Sequence, residues 1–256
     1  MAEIEVISTL DGSKEKCLYL APPAGAKPAP LLVGLHTWSF DRFNQADKMG
    51  PRCSARGWAL VLPEFRGANK ADNPRARQAC ASRLAMQDVL DSVGAARARG
   101  GIDPERVFLL GGSGGGHMAL MMAAYAPERW AAVSAWVPIV DLAAWHGENP
   151  GYAPGIEACC GGAPGAGPET DREYHARSPV FFAEKIAGVN LSLHHGRYDR
   201  SVPYSHSWRM AEAIEAFKPK RFFFEVFDGG HELRYDAAFA WFDELLKKPP
   251  ETALSG

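Results

Sequence analysis

Short apolar runs alternate with longer amphipathic stretches along this chain. The apolar runs fall at residues 17–22, 30–36, 58–65, 106–112, 130–140, 189–196 and 221–230. Continuous runs of this length are typical of strands that are buried on both faces of a sheet. Between them, residues 79–99, 205–217 and 235–247 repeat their apolar positions at helical spacing. The alternation predicts an α/β fold, with a mostly parallel central sheet and helices on both faces.

One segment, at about residues 146–175, departs from this rhythm, because it is rich in Gly and Pro and shows no clear period. Such a segment is either a linker between domains or an insertion into one domain. Strands and helices of the same character resume after it, which favours an insertion. We therefore expect a single domain over residues 1–256, with a loop or small cap at 146–175 over the active-site side of the sheet.

Composition narrows the functional classes without selecting one. The chain has 256 residues, a formal net charge of −2 and no clustered basic segment, so we expect no nucleic-acid partner. No apolar run approaches the roughly 18–20 residues of a membrane span, and the acidic N-terminus is unlike a secretory signal. We expect a cytoplasmic protein without membrane association; an export signal ahead of this sequence and a homo-oligomeric state both stay open.

The cysteines do not predict a metal site or a disulfide framework. There are five of them, an odd number spread over a large chain, and none stands in a Cys-x-x-Cys pair. Buried free thiols are the favoured interpretation, while a Cys53–Cys80 bond or a vicinal Cys159–Cys160 bond stays open. No metal or organic cofactor is expected.

The stretch RVFLLGGSGGGHMALMMAAYAPE, residues 106–128, carries the first chemical signal. It contains the pattern Gly-x-Ser-x-Gly, with Gly111 and Gly115 on either side of Ser113. An apolar strand precedes the pattern and helix-forming residues follow it, as a nucleophile on a sharp strand-to-helix turn requires. A flexible linker is the competing interpretation. No Gly-Lys-Ser/Thr follows, so the pattern is not that of a phosphate-binding loop.

A nucleophilic serine needs a general base and an acid that orients the base. Asp199 follows the apolar run at 189–196, and His231 follows the run at 221–230. The order Ser113, Asp199, His231, with each residue after its own strand, is the order expected for such a triad. Asp141 and Asp228 are the rival acids. His195, inside the strand before Asp199, is interpreted as a core histidine.

Several segments resemble the α/β-hydrolases, and among them the prolyl oligopeptidase-like catalytic domains and related standalone esterases. They are PEFRGAN (63–69), GGSGGGHMAL (111–120), RSPVFFAEKI (177–186), HGRYDRSVPYSHSWRMAEAI (195–214) and DGGHEL (228–233). The resemblance implies an α/β-hydrolase fold from about residue 30 to 247 and supports Asp199 as the acid. It also implies an oxyanion hole made by the backbone N–H of Gly114 and an N–H after the strand at 30–36. Many members have His-Gly there, whereas this chain has His-Thr-Trp, so Thr37 and Trp38 are the candidate donors.

The function expected from this sequence is hydrolysis of carboxylic esters through an acyl-enzyme. The substrates would be small acyl or aryl esters such as acetyl or feruloyl groups on carbohydrates, held by Trp38, Trp136 and Trp145. Peptidases of the resembling group usually carry a β-propeller, and we expect a chain of this length to lack one, which favours an esterase. The alternative is an oligopeptidase or aminopeptidase, which would hold a substrate amine through Glu64, Glu148 or Glu157. A non-catalytic binding protein on the same scaffold is the third hypothesis, disfavoured because all three triad residues are present.

Overall fold

The structure, a computed structural model, describes residues 1–25, 27–219 and 221–247. Within these residues eight strands form one sheet, in the order β1-β2-β4-β3-β5-β6-β7-β8. The strands are β1 (Ala2–Ile7), β2 (Lys14–Leu20), β3 (Ala29–Leu35), β4 (Ala59–Pro63), β5 (Ile102–Gly112), β6 (Ala132–Trp136), β7 (Leu191–Gly196) and β8 (Phe222–Phe227). Strand β2 pairs antiparallel with β1 and with β4, and all the other neighbours pair parallel. The prediction of a mostly parallel sheet is confirmed.

Helices cover both faces of this sheet. They are α1 (Ala46–Arg56), α2 (Arg83–Ala98), α3 (Gly114–Tyr125), α4 (Leu142–Glu148), α5 (Ala153–Cys160), α6 (Pro168–Ala176), α7 (Ala183–Ala187), α8 (Ser205–Glu215) and α9 (Tyr235–Lys247). Successive residues of a strand point to opposite faces. Leu31 and Val33 accordingly pack in the core with α2, α3, α7 and α8, whereas Leu32 packs with α1 and α9. This double coverage explains why β3 reads as a continuous apolar run.

Residues 142–176 fold into helices α4, α5 and α6, so the segment expected as a loop or small cap at 146–175 is mostly helical. These helices bury Ile156, Cys159, Cys160 and Tyr174 in a separate apolar cluster around Trp38 and Trp145. Helices of eight and nine residues are too short to show a clear period, and each begins with a proline in its first turn. Proline at a helix start looks like a loop signal in the sequence. The single domain predicted over 1–256 stays a prediction, and residues 248–256 lie outside the described part.

All five cysteines are buried free thiols, so neither disulfide that the sequence left open is formed. Cys53, on helix α1, packs in the cluster that α1 and α9 form with the sheet. Cys80, Cys159 and Cys160 lie in the cluster formed with α4–α6. Among the described helices, none combines the length and the apolar character that crossing a bilayer demands.

Candidate active site

Ser113 occupies a strained turn between β5 and α3. Its φ angle is 56°, in the left-handed region that residues with a side chain rarely adopt. Its amide donates to the carbonyl of Trp136 at 2.9 Å, which fixes the turn against β6. A Cβ added to Gly111 would collide with the backbone of Gly115, and one on Gly115 would lie 2.6 Å from the Leu35 carbonyl oxygen. The glycines of the pattern are therefore required by backbone contacts.

Asp199 and His231, predicted from separate parts of the sequence, are in contact. Nδ1 of His231 donates to Oδ2 of Asp199 at 2.7 Å, and the Asp199 side chain is completely buried. The amides of Ser201 and Val202 donate to its Oδ1 at 2.8 and 2.9 Å. Burial raises the pKa of Asp199, but hydrogen bonds from His195 and His231 outweigh it and hold that pKa well below its usual range. The carboxylate is thus ionised and fixed in one orientation.

His195 is a residue of this network that the sequence reasoning assigned only to the core. Its ring is completely buried, with Nε2 at 3.2 Å from Oδ2 of Asp199 and 2.9 Å from the carbonyl oxygen of Val202. Nδ1 lies 2.7 Å from Oγ of Ser207. With Nε2 protonated, the ring donates toward Asp199 and accepts from the Ser207 hydroxyl. The feature of the sequence that could have identified it is its position at the end of β7, four residues before Asp199.

The two candidate amides after β3 have different surroundings. The N–H of Thr37 donates to Oδ1 of Asn44 at 3.0 Å, so this group is already engaged. The amide nitrogen of Trp38 would lie 2.5 Å from a Cβ placed on Gly114, so the two backbones are in direct contact. Within the described part of the chain, neither the Gly114 amide nor the Trp38 amide donates a hydrogen bond. The N–H groups of Gly114 and Trp38 are therefore the two candidate oxyanion donors. The Thr37 N–H, also a candidate from the sequence, is not one of them because it donates to Asn44.

A cavity of about 290 Å³ opens beside Ser113 and His231. Its walls combine polar side chains, such as Gln45 and Glu232, with the aromatic and apolar side chains of Trp38, Phe40, Val137, Tyr152, Leu233 and Tyr235. Val137 is strained, with a φ angle of 42° that is unusual for a β-branched residue. The sequence reasoning named Trp38 in this wall and missed the other aromatic side chains, whose distance along the chain hides their proximity.

Trp136 and Trp145 do not line this cavity, which corrects their assignment as substrate-binding residues. The Trp136 ring is completely buried and stacks on His194 with ring centres 3.8 Å apart. The Trp145 ring is 1% exposed and packs behind two wall residues, 4.8 Å from Trp38 and 4.6 Å from Tyr152 between ring centres. The Trp145 ring supports the cavity wall from behind, and the Trp136 ring lies within the core.

Helix α4 and the residue after it brace the loop that carries Asp199. Nε1 of Trp145 and Nδ2 of Asn149 donate to the carbonyl oxygen of Ser201 at 2.8 and 2.9 Å. Oε2 of Glu148 accepts from Nε2 of the buried His206 at 2.6 Å, which ties α4 to α8. The segment that interrupts the strand–helix rhythm thus helps to hold the predicted acid in place.

The model of the prolyl oligopeptidase family matches residues 50–248. The chain belongs to this family. Among curated proteins, the acylamino-acid-releasing enzyme of Arabidopsis thaliana is 28% identical over 171 residues, which are 63% of this chain and 22% of that enzyme. The chain therefore spans less than a quarter of the length of this plant member of the comparison.

Solved structures of peptidases have the same fold. The acylaminoacyl peptidase of Pyrococcus horikoshii is similar with a TM-score of 0.78 and 18% identity, over 98% of this chain and 42% of that one. A puromycin-hydrolyzing peptidase of Mycobacterium tuberculosis gives 0.79 and 21%, over 98% of this chain and 40% of that one. The predicted α/β-hydrolase fold is confirmed. The predicted carbohydrate or feruloyl esterase is wrong, because these relatives are peptidases, and the alternative of a peptidase fits them better.

Proposed function

We propose that this chain hydrolyses peptide and related amide bonds through an acyl-enzyme formed on Ser113. The observation that carries the proposal is the 2.7 Å hydrogen bond from His231 Nδ1 to Asp199, because it orients a histidine that lines the same cavity as Ser113. Because Nδ1 carries the proton, Nε2 of His231 is the basic nitrogen that can accept the proton of the Ser113 hydroxyl. Family membership and the peptidase relatives support amide rather than ester chemistry.

The groups of the site divide the steps of the proposed reaction among them. Ser113 attacks the carbonyl carbon while His231 takes its proton, and the N–H groups of Gly114 and Trp38 stabilise the oxyanion. His231 then donates that proton to the departing amine, which an amide requires because an unprotonated amine is a poor leaving group. The ionised Asp199 stabilises the imidazolium in both steps. A water molecule, activated by the same histidine, releases the acyl group.

We propose that the acyl group belongs to an amino acid with an aromatic or large apolar side chain. The cavity beside Ser113 measures about 290 Å³ and has four aromatic wall residues, which suits a single side chain of that kind. Burial of such a side chain contributes roughly 1.5–3 kcal/mol, enough to select it over a small one.

The amino group of that residue is proposed to be blocked by an acyl group rather than free. A free ammonium needs a carboxylate, and the three glutamates considered from the sequence have other partners. Glu64 pairs with Arg42 at 2.7 Å, Glu148 with His206 at 2.6 Å and Glu157 with His146 at 2.7 Å. None of the three lines the cavity.

A second candidate, removal of a free amino acid from an amide, is favoured by one observation. Glu232 lies in the cavity wall next to His231, although Arg234 holds its carboxylate at 2.9 Å. The puromycin-hydrolyzing relative is consistent with this candidate. If the Glu232 carboxylate binds the free amine, Glu232→Gln will raise KM for aminoacyl amides with a free amino group and leave KM for N-acylated ones unchanged.

The test compares N-acetyl-phenylalanine 4-nitroanilide with phenylalanine 4-nitroanilide and with 4-nitrophenyl acetate. Of the two anilides, we expect the acetylated one to have the higher kcat/KM. We expect Ser113→Ala to lower kcat for the acetylated anilide by at least ~10³-fold. Thermal unfolding of Ser113→Ala should match that of the unmodified chain. Residual anilide hydrolysis within tenfold in this variant would refute the nucleophile, and inert anilides beside rapid ester turnover would refute the amide assignment.

A further inference from the structure

A second and larger cavity lies against the C-terminal half of helix α3, away from the cavity at Ser113. Its volume is about 480 Å³, and it shares no lining residue with the first cavity. Helix α3 contributes Met121, Ala124 and Tyr125 to its floor. The start of α2, the end of α6 and the segment leading into α7 form the remaining walls. The volume is within the usual range of small-molecule sites, about 300–1,000 Å³.

The inner surface of this cavity is apolar. Met86, Met121 and Ala124 are buried around it, and Leu84, Tyr125 and Phe182 are half-buried. Methionine side chains adapt to ligands of different shape, which suits a flexible hydrocarbon or an aryl group. The floor therefore favours an apolar ligand body.

Positive charge surrounds the mouth. Arg83 and Lys185 line the cavity, are exposed, and have no ion-pair or hydrogen-bond partner of their side chains among the described residues. Arg77, a third lining cation, has only a 3.9 Å approach to Glu169. The lining carboxylate, Glu173, is neutralised because Arg177 donates to it at 2.8 and 2.6 Å. An anion at the mouth would meet uncompensated cations.

From this combination we infer that the cavity is a binding site for a small amphipathic anion. The ligand class is a medium-chain or aryl carboxylate, whose chain or ring lies on Met86 and Met121 and whose carboxylate pairs with Arg83 and Lys185. Charge-assisted hydrogen bonds from an exposed arginine and lysine supply the polar recognition. Because the start of α2 also lines the mouth, the positive end of that helix favours the same charge.

Occupancy of this cavity has a direct structural route to the first one. Arg177 lines the second cavity, and its backbone carbonyl oxygen lies 2.6 Å from Nε2 of His117. His117 is one helical turn after Ser113, and its amide donates to the Ser113 carbonyl at 2.9 Å. The inferred ligand therefore contacts a residue that supports the helix carrying the proposed nucleophile.

The test uses decanoate, below its micellar concentration, in isothermal titration calorimetry on the purified chain. We expect one saturable site, at least tenfold weaker in Arg83→Ala/Lys185→Ala. The control variant Lys48→Ala/Arg97→Ala removes the same charge from exposed positions outside both cavities, and should bind decanoate as the unmodified chain does. Decan-1-ol, which has no carboxylate, should bind all of these proteins equally.

A further variant, Ala176→Trp, introduces a large side chain at an exposed wall position and should weaken decanoate and decanol together. These positions are exposed, so thermal unfolding should show intact folds. Absence of saturable decanoate binding would overturn the inference. So would equal affinity in the unmodified chain, the Arg83/Lys185 variant and Ala176→Trp, since the ligand would then bind elsewhere, including the cavity at Ser113. The measurement does not depend on turnover.

Discussion

Asp199→Asn is the change that tests the proposed catalytic network most sharply. Two backbone amides donate to Oδ1 of Asp199, while His231 and His195 approach Oδ2 at 2.7 and 3.2 Å. An asparagine that keeps its oxygen on the two amides must turn its NH₂ group toward the histidines. Nδ1 of His231 can then no longer donate, so the ring adopts the other tautomer and its Nε2 carries the proton.

An imidazole in that tautomer cannot accept the proton of Ser113, and the imidazolium also loses its counter-charge. By comparison with the same change in serine proteases, we expect kcat to fall about 10⁴-fold, which corresponds to about 5 kcal/mol in the activation free energy. KM should change little, because Asp199 is completely buried and does not line the cavity.

The assay is steady-state hydrolysis of N-acetyl-phenylalanine 4-nitroanilide by the variant, beside two matched controls. Asp228→Asn changes the rival acid after β8 and should stay within about twofold of the unmodified chain, the range of a surface change. Asp141→Asn changes a residue whose Oδ1 caps α4 through the Ala144 amide at 3.0 Å; because asparagine caps a helix as well as aspartate does, both its stability and its kcat should change little. A loss in Asp199→Asn smaller than tenfold, or smaller than the loss in either control, would refute the assignment of the acid.

Three further predictions concern the surroundings of the site. Gly114→Ala places a Cβ 2.5 Å from the Trp38 amide nitrogen, so we expect the oxyanion donors to separate and kcat to fall by about 10²–10³-fold at similar KM; an unchanged kcat would exclude this pair of donors. Burial lowers the pKa of His117 to about 4, whereas a histidine in the unfolded chain has an ordinary pKa of about 6.5. Because the unfolded state binds more protons between these values, the fold loses about 2 kcal/mol from this group as the pH falls from 7 to 5; His117→Gln should lack this loss in urea unfolding at both pH values, and an identical loss would contradict the assignment. Arg66 and Asp88 form an ion pair whose side chains are each 1% exposed. Arg66→Met should therefore lower the unfolding free energy by about 3–5 kcal/mol in urea titrations; Arg66→Met with Asp88→Leu should recover much of it, and a Met variant as stable as the unmodified chain would refute the burial argument.

Local chain chemistry determined the parts of this protein that the sequence predicted. The turn at Ser113 could be recognised because a side chain on Gly111 is excluded by the backbone of Gly115, only four residues away, although Gly115 itself is restricted by the distant backbone of Leu35. The parallel strands could be recognised because burial on both faces makes a run such as β3 continuously apolar. Asp199 and His231 could be paired in advance because the carboxyl ends of parallel strands meet at one edge of the sheet.

Tertiary structure alone decided which groups are available for chemistry. An apolar pattern reports that Trp136 and Trp145 are buried or half-buried, but only the packing shows that both lie outside the cavity. The sequence gives no reason to choose between the amides of Thr37 and Trp38 as an oxyanion donor. The Thr37 amide is occupied because the loop after β3 folds back and places the Asn44 side chain beside it.

The dependence on distant chain segments also explains why helices α5 and α6 and the second cavity could not be predicted from the sequence. Helices α5 and α6 are too short to leave a period, and their burial depends on neighbours such as Trp38, which lies more than 100 residues away in the chain. The cavity beneath Arg83 and Lys185 is assembled from four separate parts of the chain and leaves no pattern in any of them. Sequence periodicity records whether a residue is buried; which residues it meets depends on chain segments that come together only in the folded protein.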